Sequence, residues 1–241
     1  MQGVDPGESS ILAESGLNMQ AVFNLSELTP EMRAAIDAVA ATTGYRQLLL
    51  FAHGGRRMWQ AVAGYLSGEH PIDRFSVDTV TRYFDEENPV SRYQLLYPQQ
   101  PVHLPLQQLG KLAGWHHASP FRIGVNGRWG SWFAYRAVVL ADTIFTPTLA
   151  MDDPSPCLHC PEKVCLSACP VVSAGSEIPL DACMDERLKS GSLCAGSCLA
   201  RTACPVMRGE CYDDEQIAYH YGLSLATIRK HSEAAPDPEW L

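Results

Sequence analysis

Residues 157–170 read CLHCPEKVCLSACP, that is Cys157-x2-Cys160-x4-Cys165-x3-Cys169-Pro170. A second group follows: Cys183 alone, then Cys194-x3-Cys198-x5-Cys204-Pro205. All nine cysteines lie between residues 157 and 211, and the first 156 residues contain none. Disulfide frameworks more often spread their bridges through a whole secreted fold. A dense block of thiols reads instead as a metal or redox module, because the N-terminal MQGVDPGE has neither a basic n-region nor an apolar h-region. The cytoplasm is the expected location. Thiolates are soft anionic ligands that share charge with iron. Structural zinc is an alternative, with His159 as a further ligand, although only Cys157/Cys160 has the paired CxxC knuckle spacing of zinc sites.

Outward from this block, Met151-Asp152-Asp153-Pro154-Ser155-Pro156 is a turn-rich connection that sets a boundary. We expect a domain over 1–150, a Cys-rich module over 151–212 and a helical tail over 213–241. The 241-residue chain, 46% hydrophobic and 19% charged, is ordinary globular material. Its net charge of −9 disfavours nucleic-acid binding. No apolar run reaches the roughly 18–20 residues that span a bilayer, so no membrane partner is expected.

The first 150 residues alternate helix and strand signals. Short helices are predicted over Ser9 to Gly16 and from the Thr29-Pro30 cap to Gly44, where Met32, Ala35, Ile36, Val39 and Ala40 recur at helical spacing. Strands are predicted over Met19 to Leu25, Arg46 to Ala52, Arg92 to Tyr97 and Tyr135 to Thr143. Helices follow the His53-Gly54-Gly55-Arg56 turn as far as Ser67, run from Ile72 to Phe84, and fill Leu106 to Ala113. The expected fold class is α+β: an α/β layered domain followed by a small Cys-rich module.

Two Cys-Pro steps, each closing a tight cysteine run, resemble two-cluster ferredoxins, in which the last cysteine of each run serves the other cluster. That resemblance implies a ferredoxin-like module with two 4Fe-4S clusters. Cys157, Cys160, Cys165 and Cys204 would hold one, Cys169, Cys183, Cys194 and Cys198 the other, and Cys211 is left over. The spacing departs from the commonest pattern, with x4 for x2 in the first run and x3 with x5 in the second.

Upstream, GRWGSWFAYRAVVL over 127–140 combines glycines with large aromatics, which lets a backbone approach a flat ligand while rings wall it. The stretch resembles the CblC cobalamin-processing proteins, and the Leu50-Phe51-Ala52-His53 strand end and His70-Pro71-Ile72-Asp73 turn sit in similar order. From Ala113-Gly114 to Gly130-Ser131-Trp132 the chain resembles epoxyqueuosine reductases, which, like corrinoid reductive dehalogenases, carry two ferredoxin-type clusters directly after this domain. The resemblance implies a nitroreductase-like domain that binds cobalamin, with Gly130, Ser131, Trp132, Phe133 and Arg136 as cofactor-binding residues. His116, His117 and Tyr135 lie close by without matching a functional position of these families. The acid and tyrosine of the queuosine enzymes have no clear counterpart; Asp85, Glu86 and Glu87 read as a solvated helix end. No helical-repeat C-terminus follows, so tRNA is not the expected substrate.

In the tail, Asp213 to His231 reads as a helical hairpin with its turn at Gly222 and a second helix capped by Ser224, and Asp237 to Leu241 as a frayed end. Two functions are open. One is a cobalamin-binding iron–sulfur oxidoreductase, fed by a redox partner protein, whose clusters pass electrons to a corrinoid cobalt. The other is an electron-transfer or sensing protein of the same fold without corrinoid chemistry, its cavity taking haem or flavin. The catalytic residues are not assigned.

Overall fold

The computed structural model describes residues 3–98, 104–172 and 178–233. The expected frayed end at 237–241 lies outside them. The chain divides into two compact units, residues 1–116 with 132–153, and residues 117–131 with 154–241. Residues 117–131, although early in sequence, thus group with the cysteines.

The first unit is built on a four-stranded antiparallel sheet in the order β1 (Met19–Asn24), β2 (Gln47–Gly54), β4 (Phe133–Ala141), β3 (Tyr93–Tyr97). The long apolar runs fall to the two central strands, as burial on both faces requires. All eight residues of β2 are buried, and Leu48, Leu49 and Leu50 oppose Leu140, Val139 and Val138. Each fully buried leucine contributes roughly 1.5–3 kcal/mol of transfer free energy. Between Phe51 and Ala52 the register slips: Phe51 opposes Ala137 and Ala52 opposes Tyr135, leaving Arg136 as the extra residue of a bulge.

Around the sheet lie α1 (Ser10–Ser15), α2 (Pro30–Asp37), α3 (Arg57–Val62), α4 (Pro71–Arg82) and α5 (Leu106–Leu112). Ser9 caps α1 through Leu12 N–H, and Thr29 caps α2 through Met32 N–H. Gly16 ends α1 at φ 78°; a Cβ there would stand 2.4 Å from Met58 N, so both the conformation and the close approach require glycine.

Two helices stop earlier than their periodicity predicts. The α2 helix ends at Asp37 rather than running to Gly44, because the Thr42 hydroxyl donates to the Asp37 carboxylate at 2.6 Å and Arg33 also holds it, folding the chain back. The α3 helix ends at Val62, and Ala63–Tyr65 tightens into a 3-10 turn short of Ser67. The α4 helix widens into a π-type turn over Tyr83–Glu87. Asp85 and Glu86 are exposed there and Glu86 pairs with Arg82, as a solvated helix end should. Glu87 accepts from the Ser10 hydroxyl at 3.3 Å.

The second unit holds α6 (Val164–Ala168), α7 (Leu180–Leu188), α8 (Leu199–Ala203) and α9 (Asp214–Glu233). The α6 and α8 helices pack together, as do α7 and α9. Phe121, Cys165, Ile178, Ala200 and Cys204 form its buried core. The 117–131 segment enters as a tight reversal, with His117 bridging Val125 and Asn126 bridging Gly130. The Asn126 side chain accepts from both Arg128 N–H and Trp129 N–H.

The tail departs from expectation. The α9 helix is one continuous 20-residue helix with Gly222 and Ser224 inside it. An interior glycine costs about 1 kcal/mol relative to alanine. Against this, Arg187 of α7 holds the Tyr221 carbonyl and the Ser224 hydroxyl, both at 2.9 Å. Ser224 is thereby a tertiary anchor and not a cap.

Candidate functional site

Eight of the nine cysteines line two cavities of the second unit. One, about 40 Å³, is lined by Cys157, Cys160, Cys165 and Cys204 together with Lys163 and Val206. The other, about 350 Å³, is lined by Cys169, Cys183, Cys194 and Cys198, with Arg187, Arg201 and Tyr221 on its wall. Phe121 lies against both. Each run therefore sends its final cysteine to the other run's cavity.

The local structure explains this exchange. The five-residue α6 carries Cys165 within and Cys169 at its C-cap; α8 has Cys198 at its N-cap and Cys204 at its C-cap. Each helix thus presents one thiol to each cavity from opposite ends. Cys160-Pro161-Glu162-Lys163 and Cys204-Pro205-Val206-Met207 both turn the chain with a left-handed third residue after the cysteine, Lys163 at φ 41° and Met207 at φ 51°. A non-glycine residue held there costs on the order of 1 kcal/mol or more, and persists where the surroundings over-determine it.

None of the nine cysteines forms a disulfide. Burial pushes up the thiols of Cys157, Cys165, Cys183, Cys194 and Cys204, and nearby thiols of the same quartet push them further. Cys157 feels Cys204, Cys165 and Cys160, whereas Cys183 feels Cys198, Cys169 and Cys194. Four such groups become thiolates together only when a cationic core compensates them. Among the described residues no three His, Cys, Asp or Glu side chains are gathered as ligands of a single metal ion; the thiols stand around cavities.

The larger cavity has a wall that the sequence does not announce. Arg187 is buried and donates to the Cys194 carbonyl at 3.2 Å. Tyr221 lines this cavity together with Cys198 and Arg201, and burial pushes its hydroxyl up to about 12, so it stays a proton donor at any ordinary pH. No local signal marks these residues, which converge from three helices and lie 14 to 34 positions apart.

The glycine–aromatic residues are turned largely into the protein. A Cβ on Gly130 (φ 59°) would stand 2.5 Å from the Val206 carbonyl, so this glycine lets the loop close on the Cys204-Pro205 turn. Ser131 is held by Arg201. Trp132 is fully buried and its carbonyl accepts from Gly55 N–H at 2.8 Å. Phe133 is buried at the start of β4 and meets the Tyr135 ring edge-on at 5.9 Å. Arg136, at the bulge and half-buried, donates from Nε to His53 Nδ1 at 3.0 Å, which requires that nitrogen to be unprotonated. Tyr135 sits with its hydroxyl 3.2 Å from His116 Nδ1, and burial raises its pKa. His117 belongs to the other unit.

Together the fold and the thiol sites define an α+β protein with a Cys-rich unit. Among solved structures it is similar to epoxyqueuosine reductase from Streptococcus thermophilus, at 14% identity and a TM-score of 0.52 over 84% of this chain and 66% of that one. It is likewise similar to the Bacillus subtilis enzyme, at 13% identity and 0.53 over 85% and 66%. The Caenorhabditis elegans B12-trafficking protein CblC matches 91% of both chains at 14% identity, but its TM-score of 0.45 is too low to carry an argument. At these identities the likeness establishes the fold. The chain spans 66% of the length of the reductases. No family model matches it, and no curated protein does. No described helix is long and apolar enough to cross a membrane.

Proposed function

We propose that this chain is a two-cluster iron–sulfur reductase component that passes single electrons to an acceptor, a corrinoid in the reading the sequence resemblance implies. The observation that carries the proposal is the sorting of eight thiols into two quartets, with the closing cysteine of each run exchanged. The donor sets fit the groups: four thiols around each cavity, half-buried apart from the buried Cys165 and Cys204, with apolar neighbours and no oxygen ligand among the four. Cys157, Cys160, Cys165 and Cys204 would hold one 4Fe-4S cluster and Cys169, Cys183, Cys194 and Cys198 the other. When bound, such clusters supply one-electron transfer at potentials set by burial and hydrogen bonds to sulfur. The chain's part is to keep the thiols dry and to place donors and cations around them. A redox partner protein would deliver the electrons. The likeness to epoxyqueuosine reductases supports this reading, since it covers more of the chain than the first unit alone contains.

The expected corrin-binding residues bear on the acceptor. Gly130, Ser131, Trp132 and Phe133 are engaged with protein partners, and Arg136 is the one of the five with exposed surface. This observation favours a second reading, electron transfer or sensing without corrinoid chemistry.

Protein purified without oxygen decides. Broad visible absorption that bleaches on reduction, with roughly eight irons and eight sulfides per chain, is expected for two such clusters. Colourless, zinc-loaded protein overturns the proposal. Titration with cobalamin then separates the two readings: perturbed corrin bands and co-elution support the corrinoid acceptor, and unchanged bands support the second.

A further inference from the structure

Arg187 is 8% exposed, yet among the described residues its guanidinium pairs with no carboxylate. Nε donates to the Cys194 carbonyl at 3.2 Å, Nη1 to the Ser224 hydroxyl at 2.9 Å and Nη2 to the Tyr221 carbonyl at 2.9 Å, and the group lies 5.2 Å over the Tyr221 ring. Glu186 lines the same cavity, but its carboxylate takes Lys189 Nζ at 2.7 Å and the Ser192 hydroxyl at 3.0 Å. A buried cation with only neutral partners is strongly unfavourable unless an anion completes the site. Among the described residues, the anionic groups available to Arg187 are the four thiolates of the cavity it lines. Tyr221 lines the same cavity as Cys198, with the Arg187 guanidinium over its ring.

Resting on the two-cluster reading, we propose that Arg187 and Tyr221 are positioning residues that set the reduction potential of the Cys169/Cys183/Cys194/Cys198 site above that of the Cys157/Cys160/Cys165/Cys204 site. A reduced cluster carries one more negative charge than an oxidised one, so a buried cation and a hydrogen bond to ligand sulfur both stabilise it. The cations beside the other quartet, Lys163 and Arg208, are exposed, and solvent and salt screen them. On this account α9 is the strap that holds Tyr221 on the wall of the cavity Cys198 lines, Arg187 is the pin that fixes the strap, and the second site is the stronger electron acceptor of the two.

The test is potentiometric titration of the full iron-loaded chain, followed by electron paramagnetic resonance. Two midpoints are expected. Arg187→Gln should lower one of them by a tenfold change in its reduction equilibrium, about 59 mV for one electron, and leave the other in place. Arg187→Lys should restore most of the shift. Tyr221→Phe keeps the ring beneath the guanidinium and removes only the hydroxyl, so it should move the same midpoint in the same direction by less. Unmoved midpoints in iron-replete Arg187→Gln and Tyr221→Phe, or equal movement of both midpoints, overturn the proposal. If Arg187→Gln fails to retain iron, Tyr221→Phe decides alone. A parent chain that carries no iron and sulfide fails at the two-cluster reading and removes this proposal with it; an iron-loaded parent with insensitive midpoints removes this proposal only.

Discussion

Arg201 of α8 donates from Nη2 to the Ser131 carbonyl at 2.6 Å and from Nε to the Ser131 hydroxyl at 3.3 Å, with both residues buried. The 117–131 segment is thereby tied to the helix that Cys198 and Cys204 bracket.

Removing the guanidinium should destabilise the second unit more than removing the hydroxyl. Arg201→Ala leaves the buried Ser131 carbonyl without this donor, at about 1–3 kcal/mol. Ser131→Ala keeps the carbonyl bond and should cost about 1 kcal/mol or less. Denaturant unfolding of both variants checks the ranking.

The cysteines should separate by cavity. Cys204→Ser should lose about half of the bound iron under the two-cluster reading, whereas Cys211→Ser should keep it all, because Cys211 lines neither cavity. Iron and sulfide content per chain is the measurement.

Two glycine substitutions should have opposite signs. Gly130→Ala forces a side chain onto the Val206 carbonyl at φ 59° and should cost about 1–3 kcal/mol. Gly222→Ala meets nothing within 4 Å inside α9 and should stabilise by up to about 1 kcal/mol. Thermal unfolding reads both, and a destabilising Gly222→Ala would restore the hairpin turn that the sequence suggests.

Much of the first unit is readable locally. Ser9, Thr29-Pro30 and Gly16 announce their helix ends, and the apolar runs of β2 and β4 announce central strands, because those signals lie within a few residues of what they govern. The tail is not readable in this way: Gly222 suggests a turn, and the residue that overrides it, Arg187, lies some 35 positions away. The same holds for the site. The Cys-Pro steps group the thiols, but nothing near Phe121, Arg187 or Tyr221 places them on the cavity walls. The allegiance of 117–131 to the cysteines is likewise a long-range outcome.

Asp37 offers a pH readout. The Thr42 hydroxyl bond, helped by Arg33, holds its carboxyl below the ordinary carboxylate range. Its folded-state pKa is depressed, so its contribution is present above the unfolded value of about 3.9 and is lost as pH falls through the folded one. Thr42→Val should return the Asp37 pKa towards ordinary in a carboxyl NMR titration. Its destabilisation should be visible at neutral pH and vanish in strong acid.

The α6 and α8 helices are each barely more than one turn long, with a thiol for one cavity at one end and a thiol for the other at the opposite end. Each compartment is thus anchored in part by helices it shares with its neighbour. Oxidation that strips one end of such a helix loosens the anchor at the other, so damage in one compartment should make its neighbour easier to lose.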